Sequence, residues 1–133
     1  MTLHFQDIRK NYIPHILKEI YIDRVYDPYF QGRSDLTVFD LGANIGLFSI
    51  YASQYSKKVV SVEPSRQIFE FLERNLEQIP PKIDNISLRA AVGAKNGSIT
   101  LYGSDDNLTM FSTHKVGVHN DYSEEVEMID MVS

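Results

Sequence analysis

Val38-Phe39-Asp40-Leu41-Gly42-Ala43-Asn44-Ile45-Gly46 is an apolar run that delivers an acid and then enters a turn with two glycines and an asparagine. Leu36-Thr37-Val38-Phe39 is β-prone, and Ile45, Phe48, Ala52 and Tyr55 then recur at helical spacing up to Ser56. The segment reads as strand, tight turn, helix. Gly42 can take a backbone angle that costs other residues energy and lets a ligand approach the main chain, while Gly46 is expected to let the helix pack close to the sheet. Open backbone N–H groups at the helix start would then face the crevice beyond the carboxyl ends of the strands, where open α/β sheets bind ligands.

The pattern repeats downstream. Val59-Val60-Ser61-Val62 reads as a second buried strand closed by Glu63-Pro64, with Ser65 placed to cap the next helix. Phe69, Leu72, Leu76 and Ile79 form that helix's apolar stripe, Glu70 and Arg74 are spaced for an i,i+4 pair, and Pro80-Pro81 stops it. A third strand is expected from Ile86 through Val92, completing a β-α-β-α-β series. Ala94-Lys95-Asn96-Gly97 then reads as a turn and Ser98 to Tyr102 as a returning strand, so the strands on either side of the turn are expected to form a β-hairpin. Residues 103 to 123 are loop-like, with one short strand around Leu108 to Phe111, and Glu124 to Val132 alternates charged and apolar residues as a half-exposed strand does.

Residues 1–34 form a helical lead-in. Phe5, Ile8 and Tyr12 lie at helical spacing, Pro14 restarts a turn, and Ile13, Ile16, Leu17 and Ile20 share one side. A packing arm is expected. Tyr21, Tyr26, Tyr29 and Phe30 cluster around Asp27-Pro28 and Gly32 in a turn-rich connection, where core or cover is the expected role.

Composition bounds the function. The 133 residues, 43% of them hydrophobic, describe one ordinary globular domain. With 13 Lys plus Arg against 18 Asp plus Glu, a net charge of -5 and no long basic run, nucleic-acid phosphates are not expected partners. No stretch approaches the ~18 apolar residues of a membrane span, and the start of the chain lacks the basic-then-apolar layout of a secretory signal, so a cytoplasmic protein is expected. The absence of cysteine excludes disulfides, thiolate metal sites and Cys nucleophiles. His4, His15, His114 and His119 are dispersed without metal-ligand spacing, so no metal is expected; a solvated role is read for each.

Two cofactor classes use a glycine turn after a strand. The dinucleotide fingerprint needs G-x-G-x-x-G so that a pyrophosphate can nestle against the turn, and Gly42-Ala43-Asn44-Ile45-Gly46 lacks the middle glycine. S-adenosylmethionine carries no phosphate, so one crowded position is tolerable, and Asp40 suits the ammonium of its methionine end. Glu63 ends the next strand where an acid accepts hydrogen bonds from ribose hydroxyls in such folds.

These residues resemble the FkbM-type S-adenosylmethionine-dependent methyltransferases. The resemblance is carried by Phe39-Asp40-Leu41-Gly42-Ala43-Asn44-Ile45-Gly46-Leu47-Phe48-Ser49, by Val62-Glu63-Pro64-Ser65 with Phe69, Leu72, Asn75 and Leu76, and by Ala90-Ala91-Val92-Gly93 with Gly97 and a strand. It implies an α/β fold, a Rossmann-like methyltransferase sheet truncated after its first β-α-β-α-β half plus a β-hairpin, with residues 35–133 as the N-terminal half of the cofactor-binding domain. It implies that Asp40 and the backbone of Gly42, Ala43 and Asn44 hold the methionine portion and Glu63 the ribose, while Pro64, Ser65, Ala91 and Val92 flank the adenine. The implied reaction is O-methyl transfer to a sugar or other small-molecule acceptor. Members of the family continue into a later strand with a Lys-x-Asp-x-Glu-Gly motif, which this chain lacks, so no catalytic residue is assigned. The first strand would then border the missing half with Val38-Phe39 on an open edge; either the chain is a fragment of a longer protein, or that edge is covered by a second copy or by the strand from Glu124 to Val132. A non-catalytic cofactor-binding remnant and a nicotinamide-dependent oxidoreductase stay open as alternatives.

Overall fold

A computed structural model describes residues 1–5, 12–103 and 122–131. The reading of a short strand near Leu108 to Phe111, and the positions of His114 and His119, lie outside the described residues.

Helix α1 (Tyr12–Leu17) runs directly into a π-helical turn (Lys18–Ile22), and α2 (Asp27–Phe30) follows. Pro14 sits in the first turn of α1, where its missing N–H would have had no partner. Tyr21, Tyr26 and Phe30 are cover for the next helix, whereas Tyr29 is not, standing 76% exposed. Tyr26 and Phe30 meet Phe48 and Tyr51 edge-on or tilted, and the Tyr51 hydroxyl donates to Asp27 Oδ1 at 2.6 Å. With Ile13, Ile20 and Leu47 they form one apolar cluster that fastens the lead-in to the α/β unit.

Strands β1 (Leu36–Leu41), β2 (Ser56–Val62) and β3 (Asp84–Leu88) make a parallel sheet in the order β1-β2-β3, connected by α3 (Leu47–Ser53) and α4 (Arg66–Leu76). The sequence series is therefore realised as one half of a Rossmann-like sheet. Central β2 has Val59, Val60, Ser61 and Val62 all buried, as a parallel strand covered on both faces requires. Ser65 caps α4 by accepting from Ile68 N–H. Pro80 does not end that helix, which stops at Leu76, and no ion pair joins Glu70 and Arg74 among the described residues.

The expected third strand is broken. β3 stops at Leu88, and β4 (Ala91–Val92) belongs to a second sheet of order β4-β6-β5, with β5 spanning Gly97–Gly103 and β6 spanning Tyr122–Ile129. The hairpin-like partner of β5 is β6, not the strand before the Ala94–Gly97 turn, because β6 inserts between β4 and β5, parallel to one and antiparallel to the other. Ile129 and Met131 then pack with Ala90 on Val60, Val62 and Ile86. The terminal strand thus covers one face of β2 and β3, and not the edge of β1.

Among the described residues β1 has no strand on its outer side. Val38 is half-buried, but Phe39 and Leu41 stand 53% and 52% exposed. These two share the face of Val60 and Val62, their register partners, and that face is covered at β2 and bare at β1. No described helix is long and apolar enough to cross a membrane.

Candidate functional site

The turn after β1 is built from three left-handed residues in five, Gly42 at φ 75°, Asn44 at φ 52° and Gly46 at φ 96°. A side chain at Gly42 would meet nothing within 4 Å, so the backbone there is open to an approaching group. Gly46 is different. A Cβ there would lie 2.9 Å from Leu72 Cδ1 and 3.4 Å from Leu76 Cδ2, so this glycine allows α3 to start against α4 and not, as the sequence reading had it, against the sheet. Ala43 is buried in that same contact with Leu72 and Leu76.

The backbone N–H groups of the turn are not open, contrary to expectation. Gly42 and Ala43 both donate to the Val62 carbonyl at 2.9 Å, Asn44 donates to Glu63 Oε1 at 3.0 Å, Ile45 to the Asn44 side chain at 2.8 Å, and Gly46 to the Ala43 carbonyl at 2.9 Å. The physical reason is the left-handed turn itself, which curls the chain back over the end of β2. What the turn offers a ligand is its carbonyls and its neighbouring carboxylates.

Asp40 leaves β1 at the cavity's edge. Its Oδ2 accepts from Ser49 Oγ at 2.7 Å, and Ser49 lies 2.7 Å from Ser61 Oγ, so α3, β1 and β2 share one buried polar chain. Burial pushes the Asp40 carboxyl above its ordinary range, and the Ser49 hydrogen bond offsets part of that. Glu63, only 6% exposed, accepts from Asn44 N–H through one oxygen and from Ser65 N–H at 2.9 Å through the other. Its carboxyl is also pushed up, chiefly by burial and further by the charges of Asp40 and Glu124, against the two N–H bonds. A carboxylate oxygen has capacity for more than one donor, so Glu63 is able to accept from a ligand hydroxyl while holding the turn.

A cavity of about 160 Å³ opens beside the turn, lined by Asp40, Gly42, Ala43 and Asn44 from below and by Ile16, Glu19 and Tyr26 among others from the lead-in. This is smaller than the roughly 300–1,000 Å³ of pockets that enclose a whole drug-sized ligand. Glu63, Pro64, Ser65, Ala91 and Val92 are not part of its lining. Ser65 is fully buried as the α4 cap, while Ala91 and Val92 are drawn into the second sheet against Met128 and Ile129. The site residues therefore fall into groups, Asp40 with Gly42, Ala43 and Asn44 at the cavity, Glu63 with its neighbours beyond it, and Gly46 against α4.

Two contributions escaped the sequence reading. Glu19 stands on the same helical side as Ile13, Ile16 and Ile20, and an acid inside an apolar stripe is a signal that was legible. Glu124 of β6 accepts from the Arg66 N–H at the start of α4 and pairs with Arg89 at 3.0 Å, and nothing in the spacing of these residues announces it.

No family model matches the chain. It is 32% identical over 95 residues to the AMB antimetabolite synthetase AmbE of Pseudomonas aeruginosa, covering 69% of this chain and 4% of that protein. It is 37% identical over 76 residues to Methyltransferase sdnD of Sordaria araneosa, covering 56% of this chain and 29% of that protein. Among solved structures, Methyltransferase FkbM of Methylobacillus flagellatus KT aligns with TM-score 0.41 and 17% identity over 47% of this chain and 19% of that one. The chain thus spans under a third of the length of each of these relatives. Within that span it is similar in sequence to a curated methyltransferase.

Proposed function

We propose that this chain is the donor-binding part of an S-adenosylmethionine-dependent methyltransferase, cytoplasmic, acting on an oxygen of a saccharide or other small molecule. The observation that carries the reading is the pair of carboxylates held on either side of the Gly42 turn, Asp40 at the cavity and Glu63 fixed by Asn44 and Ser65. Asp40 suits the donor's ammonium, and Glu63 suits its ribose hydroxyls. The space at Gly42 lets the chain between those ends lie against the backbone. Pro64, Ser65, Ala91 and Val92 would border the adenine. When bound, the donor supplies a methyl group activated by a positively charged sulfur. The contribution of the residues described here is to hold and align it, since methyl transfer is foremost a problem of in-line positioning.

The nicotinamide reading fares worse than it did on sequence. A pyrophosphate needs open N–H donors at the turn, and those of residues 42 to 46 are engaged within the chain. A second reading, donor binding without transfer, is favoured by the bare Phe39 and Leu41 face of β1, where an acceptor-side layer would pack. Calorimetric titration separates the nicotinamide reading from both donor-binding readings: S-adenosylhomocysteine is expected to bind and NAD not, and binding of NAD alone would overturn the choice of cofactor.

A further inference from the structure

The cavity beside Asp40 has a wall that the turn does not provide. It comes from α1, the π-helical turn and the residues before α2, which contribute Ile16, Glu19 and Tyr26. A π-helical turn is rare and is enriched at functional sites, because the extra residue per turn re-aims side chains. Here it spans Lys18–Ile22, with Asp23 N–H reaching the Lys18 carbonyl at 2.8 Å, and Glu19 lies inside it.

Glu19 is half-buried, and among the described residues its carboxylate receives no hydrogen bond or ion pair. The described Lys and Arg nearest in sequence are committed elsewhere. Lys18 Nζ bonds both oxygens of Asp23, at 2.9 and 2.8 Å, and Arg24 pairs with Asp27. The Tyr26 ring borders the same space, and its hydroxyl feels the negative charge of both Glu19 and Asp40. An apolar-walled cavity with a carboxylate on each of two separate elements, and no cation among the described residues that line it, is complementary to a ligand cation.

We infer that Glu19 is a second donor-binding carboxylate, which with Asp40 receives the ammonium of the cofactor's amino-acid tail, so that the N-terminal helical segment is a wall of the donor pocket and not packing alone. The inference deepens the methyltransferase proposal and rests on it. It assigns the cavity to the tail and leaves Glu63 to the nucleoside, which explains why the space beside Asp40 is small and why Glu63 does not line it.

The test uses two ligands that differ in the tail. Wild type and Glu19→Gln are titrated calorimetrically with S-adenosylhomocysteine, which has the ammonium, and with methylthioadenosine, which lacks it; thermal melting checks that the near-isosteric variant is folded. The inference expects about tenfold weaker binding of S-adenosylhomocysteine, as the loss of one charge-assisted contact gives, and unchanged binding of methylthioadenosine. Equal affinity of both proteins for S-adenosylhomocysteine overturns the role of Glu19 and leaves the methyltransferase proposal standing. An equal loss for both ligands also overturns it, since the effect would not then lie in the tail. Failure of wild type to bind either ligand overturns the methyltransferase proposal itself and this inference with it.

Discussion

The Asn44 backbone N–H donates to Glu63 Oε1 at 3.0 Å, so the turn that leaves β1 is held by the acid that follows β2. Two neighbouring parallel strands are thereby locked at their carboxyl ends by one side chain, whose other oxygen accepts from Ser65 at 2.9 Å. Glu63→Ala removes both bonds. Under the donor reading it also weakens binding of S-adenosylhomocysteine by about 1–3 kcal/mol, read by calorimetry. Undiminished affinity removes Glu63 from the site.

The raised carboxyls of Asp40 and Glu63 give a pH dependence with opposite signs for folding and binding. An acid whose folded pKa lies above its unfolded value binds more protons when folded. Stability is therefore greatest below the unfolded value and falls as pH rises from there through the folded value. Denaturant titrations across the acidic range are expected to show wild type losing stability in that window, and Glu63→Gln losing less of it. Donor binding needs the ionised forms and strengthens over the same window. Identical pH profiles for wild type and Glu63→Gln contradict a raised Glu63 carboxyl in the folded chain.

The two turn glycines are expected to respond differently to alanine. Gly46→Ala combines a φ of 96° with a contact at 2.9 Å to Leu72, and is expected to destabilise by about 1–3 kcal/mol in denaturant unfolding. Gly42→Ala carries only the backbone strain, because nothing lies within 4 Å of the added carbon. It costs less stability, yet it fills the space proposed for the donor and weakens S-adenosylhomocysteine binding. Equal stability losses would contradict the packing role given to Gly46.

The bare side of β1 is expected to drive self-association of this chain. Phe39 and Leu41 expose more than half of their surface on a strand whose outer edge has no described partner. Light scattering at micromolar concentration is expected to show species larger than one chain, reduced by the double variant Phe39→Ser, Leu41→Ser. A strictly monomeric wild type contradicts this.

Local pattern and turn chemistry made the first half of the fold legible. The alternation of Val38-Phe39 and Val59 to Val62 with the stripes of α3 and α4 specifies β-α-β-α-β, and Asp40, Gly42 and Glu63 are found at the carboxyl ends of their strands. What sequence did not show depends on contacts remote in the chain. β6 displaces the expected hairpin by inserting between β4 and β5, and Ala91 and Val92 follow it into the second sheet. The N–H groups of the turn were expected to be open because a helix start leaves them so, and only three-dimensional curvature brings the Val62 carbonyl beneath them. Glu19 is hidden in sequence by its apolar stripe, because Ile13, Ile16 and Ile20 on the same side fit a packing face, and the cavity beside Asp40 sets it apart.

The most direct measurement is a crystal structure with S-adenosylhomocysteine bound. The account predicts ribose hydroxyls on the Glu63 carboxylate and the amino-acid tail in the cavity beside Asp40, with Gly42 between them. A nucleoside lodged away from Glu63, with side chains filling the crevice at the turn, would contradict it.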